Sequence, residues 1–182
     1  MVTYGMIKHM SWSIVLLFVL IAVAAVTLLW WKGAFLPGWV KWHNEDISTD
    51  DGMRITLKGR KTICTVDGVE IWRAESGWYV QNVLFFDINR DGKNEIVLIC
   101  WKHGSYGKHK PTWVERDTIA FSQHIFIFRT QEDGAKPVWM SSALDLQIAD
   151  GTYDDRNCLI LEAPDGECTT WSWSDWGLER LK

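Results

Sequence analysis

The stretch that decides the fold runs Val83-Leu84-Phe85-Phe86-Asp87-Ile88-Asn89-Arg90-Asp91-Gly92-Lys93-Asn94-Glu95-Ile96-Val97-Leu98-Ile99. Short apolar runs of β-branched and aromatic residues lie on both sides of an acidic loop, so it reads as strand, tight loop, strand. The loop has the form D-x-N-x-D-G-x-x-E. Alternate residues of such a loop can aim oxygen atoms at one centre, and Gly92 allows the sharp turn. A hard cation such as calcium takes about 6–8 oxygen ligands. Asp87, Asn89 and Asp91 would supply side-chain oxygens, with the carbonyl of Lys93 and the carboxylate of Glu95 completing the set. An EF-hand is a poor match, because its twelfth position needs Glu and here holds Leu98, and because the flanks read as strands.

Working outward, Asp-Gly pairs punctuate the chain at Asp51-Gly52, Asp67-Gly68, Asp91-Gly92, Asp133-Gly134, Asp150-Gly151 and Asp165-Gly166. Such pairs suit tight hairpins, because the turn needs positive φ. β-type runs flank several of them, including Thr62–Val66, Val69–Trp72, His124–Phe128, Val138–Met140, Cys158–Leu161 and Cys168–Trp173. No amphipathic helix of ten or more residues interrupts this pattern. The expectation is a mainly β, antiparallel domain of about nine or ten strands over residues 46–182. Ile71-Trp72 and Val138-Trp139 follow Asp-Gly turns in a similar way and suggest a unit used about twice.

The strand–acidic loop–strand pattern resembles the calcium loops of FG-GAP or VCBS-type repeats, the blades of integrin-like β-propellers. The resemblance covers mainly residues 66–101. Asp150, Asp154 and Asp155 do not keep the ligand spacing in the later part. It implies a propeller-blade-like fold and a structural calcium ion held by Asp87, Asn89, Asp91, Lys93 and Glu95. Propellers close with four or more blades, and about 140 residues suggest two at most. A partial propeller, a two-sheet arrangement and an oligomer all remain open.

The N-terminal part is different. Lys8 is the only charged residue before Lys32, and Ile14 to Trp31 is apolar apart from Thr27. About 20 such residues span a bilayer core. Trp12, Trp30 and Trp31 mark its ends, where indole rings favour headgroups. The expected layout is a tail at 1–12, a transmembrane helix at 13–31 and a linker at 32–45. The small residues Ala22, Ala24 and Ala25 lie inside the apolar run and bulky Leu28 to Trp31 follow it, which suits an uncleaved signal-anchor better than a cleavage site. Basic residues barely differ across the helix. The orientation expected is N-terminus in and the β domain outside the cytoplasm, where calcium is plentiful. Trp39 and Trp42 of the linker are assigned to the membrane surface.

The chain of 182 residues carries a formal net charge of −4. That balance lacks the basic field nucleic acid requires. The segment Lys102 to Asp117 is locally basic and long for a connection. Tyr106, Lys108, Lys110 and Trp113 make it a candidate surface for a glycan or protein ligand; packing of its aromatic rings back onto the sheet is the plainer alternative. His103, His109 and His124 would form a zinc site only if they converged, since their spacing fits no compact ligand signature. No P-loop, G-x-G-x-x-G or G-x-S-x-G is present. The expected function is a membrane-anchored extracytoplasmic binding module with a structural calcium loop. The alternative is a cell-surface hydrolase using acidic residues or a His-bound metal. Cys64, Cys100, Cys158 and Cys168 lie in β-type runs, either as two disulfides or as buried thiols.

Overall fold

A computed structural model describes residues 12–106, 110–131 and 134–181. The chain divides into two compact units, one ending at Leu36 and the other starting at Pro37.

The first unit contains α1 (Trp12–Trp31), none of whose residues is buried. It is long and apolar enough to cross a membrane. Thr27 is satisfied within the helix, its hydroxyl donating to the Val23 carbonyl at 2.8 Å. The helix ends at Gly33, where φ is +67°. Backbone bonds from Lys32 to Leu28 and from Ala34 to Leu29 close its last turn.

The second unit is three consecutive antiparallel meanders of four strands each. The first sheet holds β1 (Glu45–Ser48), β2 (Met53–Lys58), β3 (Lys61–Val66) and β4 (Val69–Arg73). The second holds β5 (Tyr79–Phe86), β6 (Glu95–His103), β7 (Phe121–Gln131) and β8 (Gly134–Met140). The third holds β9 (Asp150–Tyr153), β10 (Leu159–Glu162), β11 (Cys168–Ser174) and β12 (Gly177–Arg180). Twelve strands thus replace the nine or ten expected, and three sheets replace two units. The additional ones include β1 and β12, four residues each, whose Glu-Asp-Ile-Ser and Gly-Leu-Glu-Arg carry no readable alternation.

The middle sheet is covered on both faces. Ile96, Leu98 and Cys100 of β6 join Ile55, Leu57 and Cys64 of the first sheet in one core. Val97 and Ile99, the intervening residues of β6, join Leu159 and Leu161 of the third sheet in another. This is why β6 reads as an unbroken apolar run: a strand buried on both faces needs no polar alternation. The outer sheets bury one face only. Their other faces carry Asp46, Arg54, Thr56, Lys58 and Lys61 on the first sheet and Thr152, Thr170, Ser172 and Glu179 on the third, in register opposite to the buried rows. Such polar outer faces end a stack.

The repeat suspected at Trp72 and Trp139 has a structural counterpart. Trp72 pairs with Cys64, and the next pair skips Ile71; Trp139 pairs with Ile127, and the next skips Val138. Each is a bulge on the last strand of its sheet. Trp72 then packs on Phe128 of the middle sheet at 4.9 Å. Trp139 packs towards the third sheet, where a Cβ on Gly177 would lie 2.5 Å from its Nε1.

One Asp-Gly pair is not a turn. Asp150-Gly151 begins β9, and a Cβ on Gly151 would lie 2.3 Å from the Cδ1 of Ile99. Glycine is needed there because two sheets approach closely. The four cysteines form no disulfide; Cys64, Cys100 and Cys158 are buried and Cys168 is exposed.

Candidate functional site

Two connections leave β6, one at each end, and the residues singled out in the sequence fall mainly on them.

The loop between β5 and β6 folds on its own side chains. The Asp87 carboxylate accepts the backbone N–H groups of Asp91 at 3.0 Å and Gly92 at 2.8 Å. Asn89 Oδ1 accepts the Asp91 N–H, and Asp91 Oδ1 accepts the Lys93 N–H, both at 3.1 Å. Ile88 is fully buried among the middle and third sheets and fixes the loop from below. Arg90, at φ +61°, reaches across to the Arg156 carbonyl at 3.2 Å and the Ser172 hydroxyl at 3.1 Å.

Glu95 is fully buried at the start of β6. It pairs in register with Arg129 of β7, which places a guanidinium beside its carboxylate. Arg129 Nη2 donates to Glu95 Oε1 at 2.6 Å and to Asp91 Oδ2 at 2.6 Å, and its Nε donates to Glu95 Oε1 at 3.1 Å. Asn89 turns its amide nitrogen towards Asp91 Oδ2 and Glu95 Oε1, both at 3.3 Å. Glu95 Oε2 is buried with no hydrogen-bond partner. Burial pushes the Glu95 carboxyl above the usual carboxylate range, against the pull of Arg129.

Of these positions, Asp91 and Glu95 come together around a guanidinium, while Asp87 holds the backbone of the loop. Among the described residues, no three or more His, Cys, Asp or Glu side chains are grouped to hold a metal ion. The sequence expectation missed Arg129, which is 34 residues from Glu95 and joined to it only by strand register. The pairing of an Arg at the end of one apolar strand with a Glu at the start of another was the available signal.

At the other end of β6, the segment before β7 is tied at its base. Asp117 accepts the backbone N–H groups of Ser105 at 2.7 Å, Tyr106 at 3.1 Å and Thr118 at 2.9 Å. Lys110 is folded back on the carbonyls of Val114 and Glu115. Trp113 is 82% exposed and Ile119 72%, so the Trp113 ring is not a plug on the sheet. Tyr106 is half-buried. Lys108 and His109 lie outside the described residues.

The remaining histidines do not form a site. His103 pairs with Phe121 and His124 with Cys100, an odd offset that puts them on opposite faces of the sheet. His103 Nδ1 bonds to the Ile119 carbonyl at 2.8 Å and its ring lies 3.8 Å from Phe121. His124 is fully buried and contacts the Ser122 hydroxyl at 2.9 Å and the Ser141 carbonyl at 3.2 Å. Burial, helped by the charge of Lys102, lowers its pKa to about 4.

Two features had no forecast. One is a buried amide network. Gln81 donates to the Ile148 and Ala149 carbonyls and accepts from Trp101 Nε1 and Gln123 Nε2. Gln123 also exchanges bonds with both backbone groups of Ile148. Polar residues interrupting β5 and β7 were its trace in the sequence. The other is the linker. Trp39 packs on Trp101 at 5.9 Å, and Arg60 lies 3.9 Å over the Trp42 ring. The Lys41 and His43 N–H groups bond to the Ala149 and Gln81 carbonyls. Trp39 and Trp42 thus belong to the β unit's packing, contrary to their assignment to the membrane surface. Trp176 is 92% exposed in the turn between β11 and β12.

Compared with models of known protein families, with curated proteins and with solved structures, the chain finds no match.

Proposed function

We propose that this chain is a single-pass, membrane-anchored interaction module. Its helix acts as an uncleaved signal-anchor, and its three-sheet unit lies outside the cytoplasm. The observation that carries this reading is α1: 20 residues without a charge and without one buried side chain, in a chain whose sheets complete their cores without it. A helix exposing apolar residues all round needs an apolar solvent.

The surface offered for recognition is the segment between β6 and β7. It presents Trp113 and Ile119 on a base held by Asp117. A large exposed aromatic ring on a fixed base suits a glycan face or a protein surface. The FG-GAP-like reading is supported by the four-stranded meanders and by the acidic loop between the first and second strands of the middle sheet. The polar outer faces of the first and third sheets favour a stack that ends over a ring that closes. Calcium enters this reading only as a competitor for a loop already closed by Arg129.

Alkaline extraction of membranes, protease treatment of intact cells and N-terminal sequencing test the anchor together. The full chain should stay in the membrane, keep α1 and lose its β unit to external protease. A mature N-terminus beyond Trp31, or a β unit protected from external protease, would refute the reading. For the recognition surface, cross-linking in situ should lose its adducts in a Trp113→Ala variant that remains folded.

A further inference from the structure

The acidic loop carries an unusual pair of observations. Glu95 is a fully buried carboxylate with one oxygen unpartnered, and a cation from a neighbouring strand already reaches its other oxygen. Arg129 Nη2 lies 2.6 Å from both Asp91 Oδ2 and Glu95 Oε1. These are the fifth and ninth positions of the loop, two of the three carboxylates expected to hold a divalent ion. Register fixes the arrangement, since Glu95 and Arg129 are direct cross-strand partners.

We infer that Arg129 is the resident cation of the 87–95 loop, so that the loop closes without metal and admits a divalent ion only when the guanidinium leaves.

Three features support this. The oxygens are already committed: Asp87 to the N–H groups of Asp91 and Gly92, and Asp91 to Lys93 and Arg129. Asn89 presents nitrogen, the wrong atom for a hard cation, towards Asp91 and Glu95. The guanidinium is also accessible. It is about one-third exposed and borders a cleft of about 460 Å³ lined by Asp50, Asp51, Lys93 and Asn94. Two carboxylates in that cleft offer a displaced guanidinium new partners. What remains behind is an uncompensated set of Asp87, Asp91 and Glu95, with the Glu95 Oε2 lone pairs still unused.

A tethered cation competes at every calcium concentration, because it never diffuses away. Its removal should therefore raise calcium affinity, opposite to the loss expected if Arg129 merely shaped a calcium site. The test uses the full chain in nanodiscs, titrated with calcium alone by calorimetry and by thermal melting. Wild type should show no melting shift up to about 5 mM calcium, beyond the range that fills weak extracellular sites. Arg129→Gln should melt lower without calcium, recover with it, and bind at least about tenfold tighter than wild type. Arg129→Lys, which keeps charge but loses the forked geometry, should fall between them. If Arg129→Gln fails to fold without calcium, refolding on calcium addition supports the inference. Failure to refold, or a wild type that binds calcium as tightly as either variant, overturns it. None of these readouts depends on membrane sidedness or on the ligand of the Trp113 segment.

Discussion

The two ends of β6 solve opposite problems. Its first residue, Glu95, is a charge taken fully out of water and held by Arg129 and the loop below it. Its last, His103, opens into a segment that exposes Trp113 and Ile119 and is tied at its base by Asp117. The end with the recognisable ligand spacing has used its polar atoms on itself. The end with no motif has left surface unspent. Spacing of acidic residues thus reports a capacity for closure, and the closing cation can be a side chain.

The comparison breaks most sharply at Arg129. Without divalent ions, Arg129→Gln should cost about 3 kcal/mol, because it leaves a buried carboxylate unpaired. Glu95→Gln should cost less, since Arg129 keeps Asp91 and is partly solvated. Urea midpoints in the reverse order would mean that Asp91, not Glu95, governs the loop. Acid then sets the two ends against each other. Free histidine protonates near pH 6.5, whereas His124, beside the root of the Trp113 segment, resists protonation down to about 4. Between those values the unfolded chain binds a proton that the fold refuses. Stability present above pH 6.5 should therefore fall towards pH 4, by roughly 3 kcal/mol at most. Glu95 works the other way, since its raised carboxyl takes up a proton in the fold first. Denaturation of His124→Gln at pH 7 and 4.5 should show the loss flattened; an unchanged slope would place the acid sensitivity elsewhere.

Smaller effects sharpen the difference. Asp117→Ala should cost about 1–2 kcal/mol, by removing the acceptor of three backbone N–H groups. Hydrogen exchange should rise at residues 105–106 and 118 and stay unchanged at 91–93. Trp113→Ala should change stability by less than about 0.5 kcal/mol. A larger loss in thermal melting would mean that the ring is packed, not offered.

Much of this was legible in the sequence for simple reasons. β6 announced itself because burial on both faces leaves an unbroken apolar run, and α1 because its 20 residues carry no charge. The turn at Asp67-Gly68 was legible because positive φ selects those residues, at +50° and +80°. Gly151 misled, because its reason is the methyl of Ile99 across the sheet interface and not local geometry. Arg129 was missed for the same cause: its partner is set by strand register, so only the ends of two separate apolar runs carried a trace of it. Strands β1 and β12 escaped because edges of polar sheets carry little periodicity.

The docked linker has a mechanical meaning. Chain arriving from the helix is hydrogen-bonded at Lys41 to Ala149 and at His43 to Gln81 before β1 begins, and the Lys41 amine is clasped by Glu162 at 2.8 Å. Tension applied to the chain ahead of Lys41 would therefore be borne first by the third and second sheets, at the junction held by the buried Gln81 and Gln123 amides. The strand next in sequence, β1, is shielded from the pull. A load on this protein would strain the seam between two sheets before it peeled an edge.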